Sequence, residues 1–222
     1  MAKNFERLTY SLLEIATNFE VTDDIEFPIP WIEDGLISVH NSLMREAYHN
    51  NILGPELLQL HKNVDVEPVS EDVTIEGVSF AIKSELCQAE IPELVSGIGQ
   101  KYLDYVGTVD LANPFSYKTI RTLINDSGTL YKLPVPNYAV LGNKILLTKK
   151  DMVGKKIISV IGYFRDPRDV NTYDPEAAFP TPSEFKLEML TLKHIFSAKG
   201  VPPDIINDAQ RALGQARENE KE

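Results

Sequence analysis

The chain has 222 residues, of which 43% are hydrophobic and 25% are charged, and its formal net charge is −11. These shares are close to the averages of globular domains, which argues against a wholly disordered chain and against a membrane protein. The excess of 33 acidic over 22 basic residues argues against a protein whose main task is to hold nucleic-acid backbones. The acidity has two interpretations: it keeps the protein soluble, or it lines a ring through which a polyanion slides without sticking.

Cysteine usage and the N-terminal sequence bear on the compartment. Cys87 is the only cysteine, so we expect no internal disulfide and no thiolate cluster for a metal, and the chain fits a reducing compartment. Charged and polar residues interrupt the apolar positions of residues 1–19, so no secretory signal is predicted. No segment approaches the ~20 apolar residues of a membrane-spanning helix, and we expect no membrane contact.

Helices are predicted in the N-terminal region, residues 1–62. Apolar residues recur there at steps of three and four, as amphipathic helices require. They are Phe5, Leu8, Leu12 and Ile15 in a first helix and Ile32, Leu36, Val39, Leu43 and Ala47 in a second. Pro30 and Trp31 mark the start of the second helix, because proline suits a first helical turn. Residues 23–30 predict a linker before it, and residues 56–60 predict a short helix after it.

A β-rich domain is predicted for residues 63–165. Apolar and polar residues alternate from Val64 to Lys83, which predicts strands. Glu76–Gly77 and Gly142–Asn143 predict tight hairpin turns, because glycine supplies the positive φ that these turns need. The β-branched run from Lys155 to Phe164 predicts a strand in the centre of the sheet.

Two stretches of this domain, Ile91–Tyr105 and Ser116–Ile124, are predicted to be helical insertions beside the sheet, and Cys87 is expected just after a strand. Residues 166–182, rich in proline and aspartate, predict an extended arm.

Two further helices are predicted in the C-terminal region, residues 183–222. Ser183 is a candidate N-cap for the first of them, Pro202 and Pro203 start the second, and a charged tail begins at Arg217. The whole order predicts an α+β fold: N-terminal helices, a central antiparallel β module of sandwich or barrel type with helical insertions, and C-terminal helices.

The known catalytic and cofactor motifs are not matched. Gly154 and Lys155 resemble the end of a phosphate-binding loop, but Lys149 and Lys156 stand where a glycine and a hydroxyl residue are required. None of the four histidines pairs at the i, i+4 spacing of a zinc-binding helix, and no serine has the glycine flanks of a nucleophile elbow. We therefore expect no catalytic residue, no cofactor and no metal, so that the protein is not an enzyme.

Two clusters keep alternatives open. Asp166, Asp169 and Asp174, with Asn171, would suit a hard cation in a small metal-dependent hydrolase or nuclease. Arg165 and Arg168 are interleaved with them, which favours a solvated loop that pairs with itself. The second cluster, Lys149, Lys150, Lys155 and Lys156, would suit a soluble regulatory or DNA-contacting factor.

The candidate interface residues are aromatic residues and the prolines near them, because such side chains are large and cost little entropy to order. They are Pro30, Trp31, Tyr173, Phe179, Pro180, Pro182 and Phe185. An alternative with equal weight is that these aromatics begin helices and pack on the protein's own core.

Three segments resemble the ring-forming head-to-tail connector, or tail adaptor, proteins of short-tailed bacteriophages, the crAss-like phages in particular. They are the proline and aspartate arm Asp166–Asp174, the segment Phe179–Met189 that enters a long helix, and the closing stretch Val201–Asp208. The resemblance lies in the arrangement of these segments, which cover less than half of the chain.

The resemblance implies a structural virion protein of the phage neck or viral tail. Its copies would form a homo-oligomeric ring, a dodecamer, stacked on the portal protein or on an adjacent tail ring. DNA would pass through the channel without specific binding. No catalytic residue is implied.

Overall fold

The computed structural model describes residues 3–18, 27–69, 73–75, 78–80, 85–95, 103–128 and 134–219. These residues form an α+β fold, as predicted. The helices are α1 (Phe5–Asn18), α2 (Ile29–His49), α3 (Ile120–Ser127), α4 (Glu184–Ala198) and α5 (Pro203–Asn219). The strands are β1 (Gln59–Asp65), β2 (Glu67–Pro68), β3 (Val73–Ile75), β4 (Val78–Phe80), β5 (Leu86–Glu90), β6 (Leu103–Gly107), β7 (Ser116–Tyr117), β8 (Asn137–Leu141), β9 (Lys144–Thr148) and β10 (Ile157–Gly162).

The chain divides into two compact units. The first contains Met1–Leu57 and Asp174–Glu222, which carry α1, α2, α4 and α5. The second contains Leu58–Val95 and Gly99–Tyr173, which carry the strands and α3. Among the helices of the described residues, none is long and apolar enough to span a bilayer.

The helical unit is built on α2 and α4, which run antiparallel. Gly35 near the start of α2 faces Ile195 near the end of α4, and a Cβ on Gly35 would lie only 3.0 Å from the Ile195 Cγ2. At the other end, Lys186 pairs with Glu46 at 2.6 Å. The Ser183 hydroxyl accepts a hydrogen bond from the backbone N–H of Lys186, which confirms the predicted N-cap. Apolar stripes of all four helices share one buried cluster.

In the second unit, two of the three sheets that the structure describes share a core. One sheet has the order β1-β10-β6, with β10 in the predicted central place, and the other has the order β2-β5-β9-β8-β7. Side chains alternate along β9, because successive residues of a strand point to opposite faces. Ile145 and Leu147 join Val160 of β10 in the core between the sheets. Leu146 instead packs with Leu123 of α3, so α3 covers the opposite face of this sheet.

Of the two predicted hairpin turns, the one at Gly142–Asn143 lies within the described residues. Leu141 pairs with Lys144 across the β8–β9 turn, and Gly142 has φ +60°, which confirms the hairpin there. Strands β3 and β4 are antiparallel, with Ile75 opposite Val78, while Glu76–Gly77 lie outside the described residues. Residues 23–26 of the expected linker also lie outside them.

The predicted helix 91–105 is wrong for the residues that the structure describes. Leu103–Gly107 is strand β6, which pairs with β10, and Ile91–Val95 is not helical but reaches Phe164 through a bridge at Leu94. The pairing partner lies far along the chain, so the local pattern of apolar residues did not reveal it. Residues 96–102 are outside the described part.

Three smaller predictions also need correction. The helix expected at 116–124 begins at Ile120, because the Thr119 side chain caps it there, and Ser116–Tyr117 form β7. The short helix expected at 56–60 is a single 3-10 turn at Pro55–Leu57, followed directly by β1. Cys87 lies inside β5 rather than after a strand.

Candidate assembly interface

The first group of candidate interface residues stands at the start of α2. Pro30 is exposed, whereas the Trp31 ring is partly buried. Trp31 stacks on Phe27 with ring centroids 6.2 Å apart, and the Lys199 ammonium lies 4.9 Å from its centroid. Phe27 in turn contacts Phe196. Trp31 therefore links the start of α2 to the end of α4 and presents only part of its surface to a partner.

Phe179 contacts its own unit. Its side chain is 4% exposed, and its ring lies 5.2 Å from Phe5 and 5.0 Å from His40, centroid to centroid. Its backbone N–H donates to the Lys3 carbonyl at 3.0 Å. Of the two interpretations that the sequence left open for this ring, packing on the protein's own core is the one that the structure shows.

Phe185 is the most accessible aromatic residue of the predicted set. It lies in the first turn of α4 and is 37% exposed, while Pro180, Pro182 and Tyr173 are partly buried. The Lys186–Glu46 pair places this turn beside the end of α2. Ile52, just after α2, is 65% exposed. This end of the helix pair therefore carries two accessible apolar side chains.

The segment after β10 is fastened to β1. The Asn171 side chain accepts from the Lys62 N–H and donates to the Lys62 carbonyl, and the Thr172 hydroxyl donates to the Leu60 carbonyl. The Asn171 N–H donates to Nδ1 of His61 at 3.1 Å. We call residues 170–172 the strap. The strap forms hydrogen bonds with backbone groups of β1. Because β1 is an edge strand, these groups would otherwise be available to pair with another strand.

Two of the three aspartates of the candidate cation cluster, Asp166 and Asp174, have local partners. Both carboxylate oxygens of Asp166 accept from the Arg168 guanidinium, which lies 2.8 Å away at its nearest nitrogen. Asp174 accepts from the backbone N–H of Glu176 at 3.0 Å. In the described part of the chain, no group of three or more His, Cys, Asp or Glu side chains is arranged to hold a metal ion. Burial raises the pKa of the Cys87 thiol, which disfavours the reactive thiolate.

The four lysines of the second cluster lie on the β9–β10 connection, which we call the lysine loop (149–156). Lys149 and Lys156 are exposed. Lys150 donates to the Asp126 carbonyl at 2.6 Å, near the end of α3, and the Lys155 ammonium lies 5.4 Å from the Phe115 ring centroid. Between the two lysine pairs stands Val153, which is 71% exposed.

A groove of about 540 Å³ runs along the outer side of α1. We call it the α1 groove. Glu6, Tyr10 and Glu14, each four residues apart, line it together with Glu176, and Tyr10 is 52% exposed. Sequence reasoning missed Tyr10, Ile52 and Val153 as accessible apolar residues. Tyr10 had a signal, since it lies off the apolar stripe of α1, whereas exposure of Ile52 and Val153 depends on how the loops fold.

Comparisons with known proteins identify no family. No protein-family model matches the chain, and no curated protein sequence matches it significantly.

Proposed function

We propose that the protein is a structural virion subunit that forms a ring in the neck or tail of a short-tailed phage, joining the portal to the tail around the DNA channel. The observation that carries the proposal is the accessible apolar surface on both compact units of a strongly acidic chain. Ile52 and Phe185 supply it on the helical unit and Val153 on the β unit. Aromatic side chains such as Phe185 are enriched in protein–protein interfaces, and the centres of these interfaces are more apolar than the rest of a protein surface.

A ring needs two different contact surfaces on each copy, because every copy binds one neighbour on each side. A chain with accessible apolar residues on two separate units meets that requirement. The segments that resemble phage connectors add the same expectation from the sequence. The net charge of −11 suits a channel that DNA crosses without binding.

The proposal is tested by the mass and shape of the purified full chain, alone and with a portal protein. Twelve copies of the 24.9-kDa chain give a particle of about 300 kDa, and negative-stain images are expected to show rings. A chain that stays monomeric at every concentration, even with portal added, contradicts the proposal.

Variants connect the ring to the surface that carries the proposal. Ile52→Ser together with Phe185→Ser is expected to lower the fraction of assembled protein, because serine removes apolar area from the contact. Lys193→Ser is the matched control, since it changes an exposed residue of α4 without removing a large apolar side chain. Circular dichroism of each variant checks that the helices are intact.

A further inference from the structure

The lysine loop has a fixed conformation. The Met152 N–H donates to the Lys149 carbonyl at 3.1 Å and the Lys155 N–H to the Met152 carbonyl at 2.8 Å. Asp151 is fully buried, and its carboxylate accepts from the Thr148 hydroxyl. Gly154 at φ +78° completes the turn. The loop therefore presents the Val153 side chain from an ordered base, which reduces the entropy lost when it binds.

The lysine loop has a positive net charge, whereas the rest of the chain has a negative one. Its four lysines and one aspartate carry +3, whereas the other residues together carry −14. Within the described residues, no carboxylate pairs with Lys149, Lys155 or Lys156. An exposed apolar side chain in a loop that also carries the exposed cations Lys149 and Lys156 fits an acidic protein surface that has an accessible apolar residue.

The α1 groove has that character. Tyr10 is its exposed apolar residue, and Glu6, Glu14 and Glu176 line the groove with it. Of the two cations beside it, Lys3 is held by the buried carboxylate of Glu188 at 3.0 Å, which leaves Arg7. The groove is therefore acidic on balance.

We infer that the lysine loop of one copy docks in the α1 groove of the next copy, with Val153 against Tyr10 and the lysines against the glutamates of the groove. The inference rests on the proposed ring. The loop and the groove are different surfaces, so the contact is heterologous, as ring closure requires. A second copy is favoured over DNA, because Val153 would gain nothing from a phosphate backbone.

Charge reversal tests the contact in the full chain. Lys149→Glu with Lys156→Glu, and separately Glu14→Lys with Glu176→Lys, are each expected to raise the concentration for half-assembly about tenfold or more, because like charges then face each other. Combining all four changes is expected to restore assembly. Lys193→Glu with Arg121→Glu matches the first change in charge at other exposed sites and is expected to have a smaller effect.

The outcomes separate this inference from the proposed function. If the wild-type chain forms no ring, the proposed function fails and the inference fails with it. If the wild-type chain forms rings that neither charge reversal weakens, or the combined variant is weaker than both, only the inference is overturned. Binding of a short DNA duplex that is lost in Lys149→Glu with Lys156→Glu while rings persist would assign the loop to DNA instead.

Discussion

Single residues hold the N-terminal end of the helical unit in place. The Lys3 ammonium pairs with Glu188 at 3.0 Å, and the Glu188 side chain is fully buried. The Lys3 backbone also takes part, because its N–H donates to Glu184 and its carbonyl accepts from Phe179. A buried carboxylate that loses its cation keeps its desolvation cost without the compensating attraction. Lys3 is therefore expected to matter more than its position near the chain end indicates.

Lys3→Met is expected to lower the free energy of unfolding by roughly 3 kcal/mol. Lys186→Met is the matched control, because the Lys186–Glu46 pair is about half exposed at both ends and should cost less than about 1 kcal/mol. Urea unfolding followed by circular dichroism measures both. Equal losses of unfolding free energy in the two variants would contradict the larger contribution expected of the buried Lys3–Glu188 pair.

At the scale of elements, the strap on β1 depends on a neutral imidazole. Nδ1 of His61 accepts the Asn171 N–H, which it can do only without a proton. Burial lowers the pKa of His61 from its ordinary value of 6.5. Asp65, Glu67 and Glu90 line the same cavity of about 320 Å³ as His61. Because the pKa of His61 is lowered in the folded chain, this imidazole takes up its proton at a higher pH in the unfolded chain than in the folded one.

The direction of the pH effect follows from the lower pKa of His61 in the folded chain than in the unfolded chain. The contribution of His61 to stability is complete above about pH 6.5, falls as the pH drops below this value, and levels off below the lowered folded pKa. The protection factor of the Asn171 amide against exchange with solvent deuterium, corrected for the intrinsic exchange rate at each pH, should fall over the same range. The His61→Gln variant retains a polar side chain without a titrating imidazole, and its loss of stability between pH 7.5 and 5 should be smaller. An equal loss would show that the strap does not depend on this proton.

At the scale of the whole molecule, the boundaries of the β unit differ from those predicted from the sequence. The sequence predicted a β domain at residues 63–165, whereas the compact unit begins at Leu58 and ends at Tyr173. The additional residues include the first part of β1, which pairs with β10 from Gln59 onward, and Val170, which is buried in the core of this unit. The first part of β1 contributes backbone hydrogen bonds to this unit, and Val170 contributes to its hydrophobic core.

A fragment of residues 58–173 is expected to unfold cooperatively on heating, because it contains the core that the two larger sheets share. A fragment of residues 63–165 should melt at least about 5 °C lower, since it loses the pairing of Gln59–His61 with β10 and the burial of Val170. Thermal circular dichroism compares the two. A longer fragment without a cooperative transition, or one no more stable than the shorter, would contradict these limits.

The sequence by itself determined the class of fold, the four helices α1, α2, α4 and α5, the Ser183 cap and the hairpin at Gly142. These features depend on residues within a few positions of each other, through helical periodicity, capping and turn conformation. Only the tertiary structure decided that Leu103–Gly107 is a strand, that Phe179 packs inward and that Val153 is exposed. Strand pairing and burial depend on distant residues, as in the strap, where Asn171 meets Lys62 from 109 positions away, and no local pattern encodes such a contact.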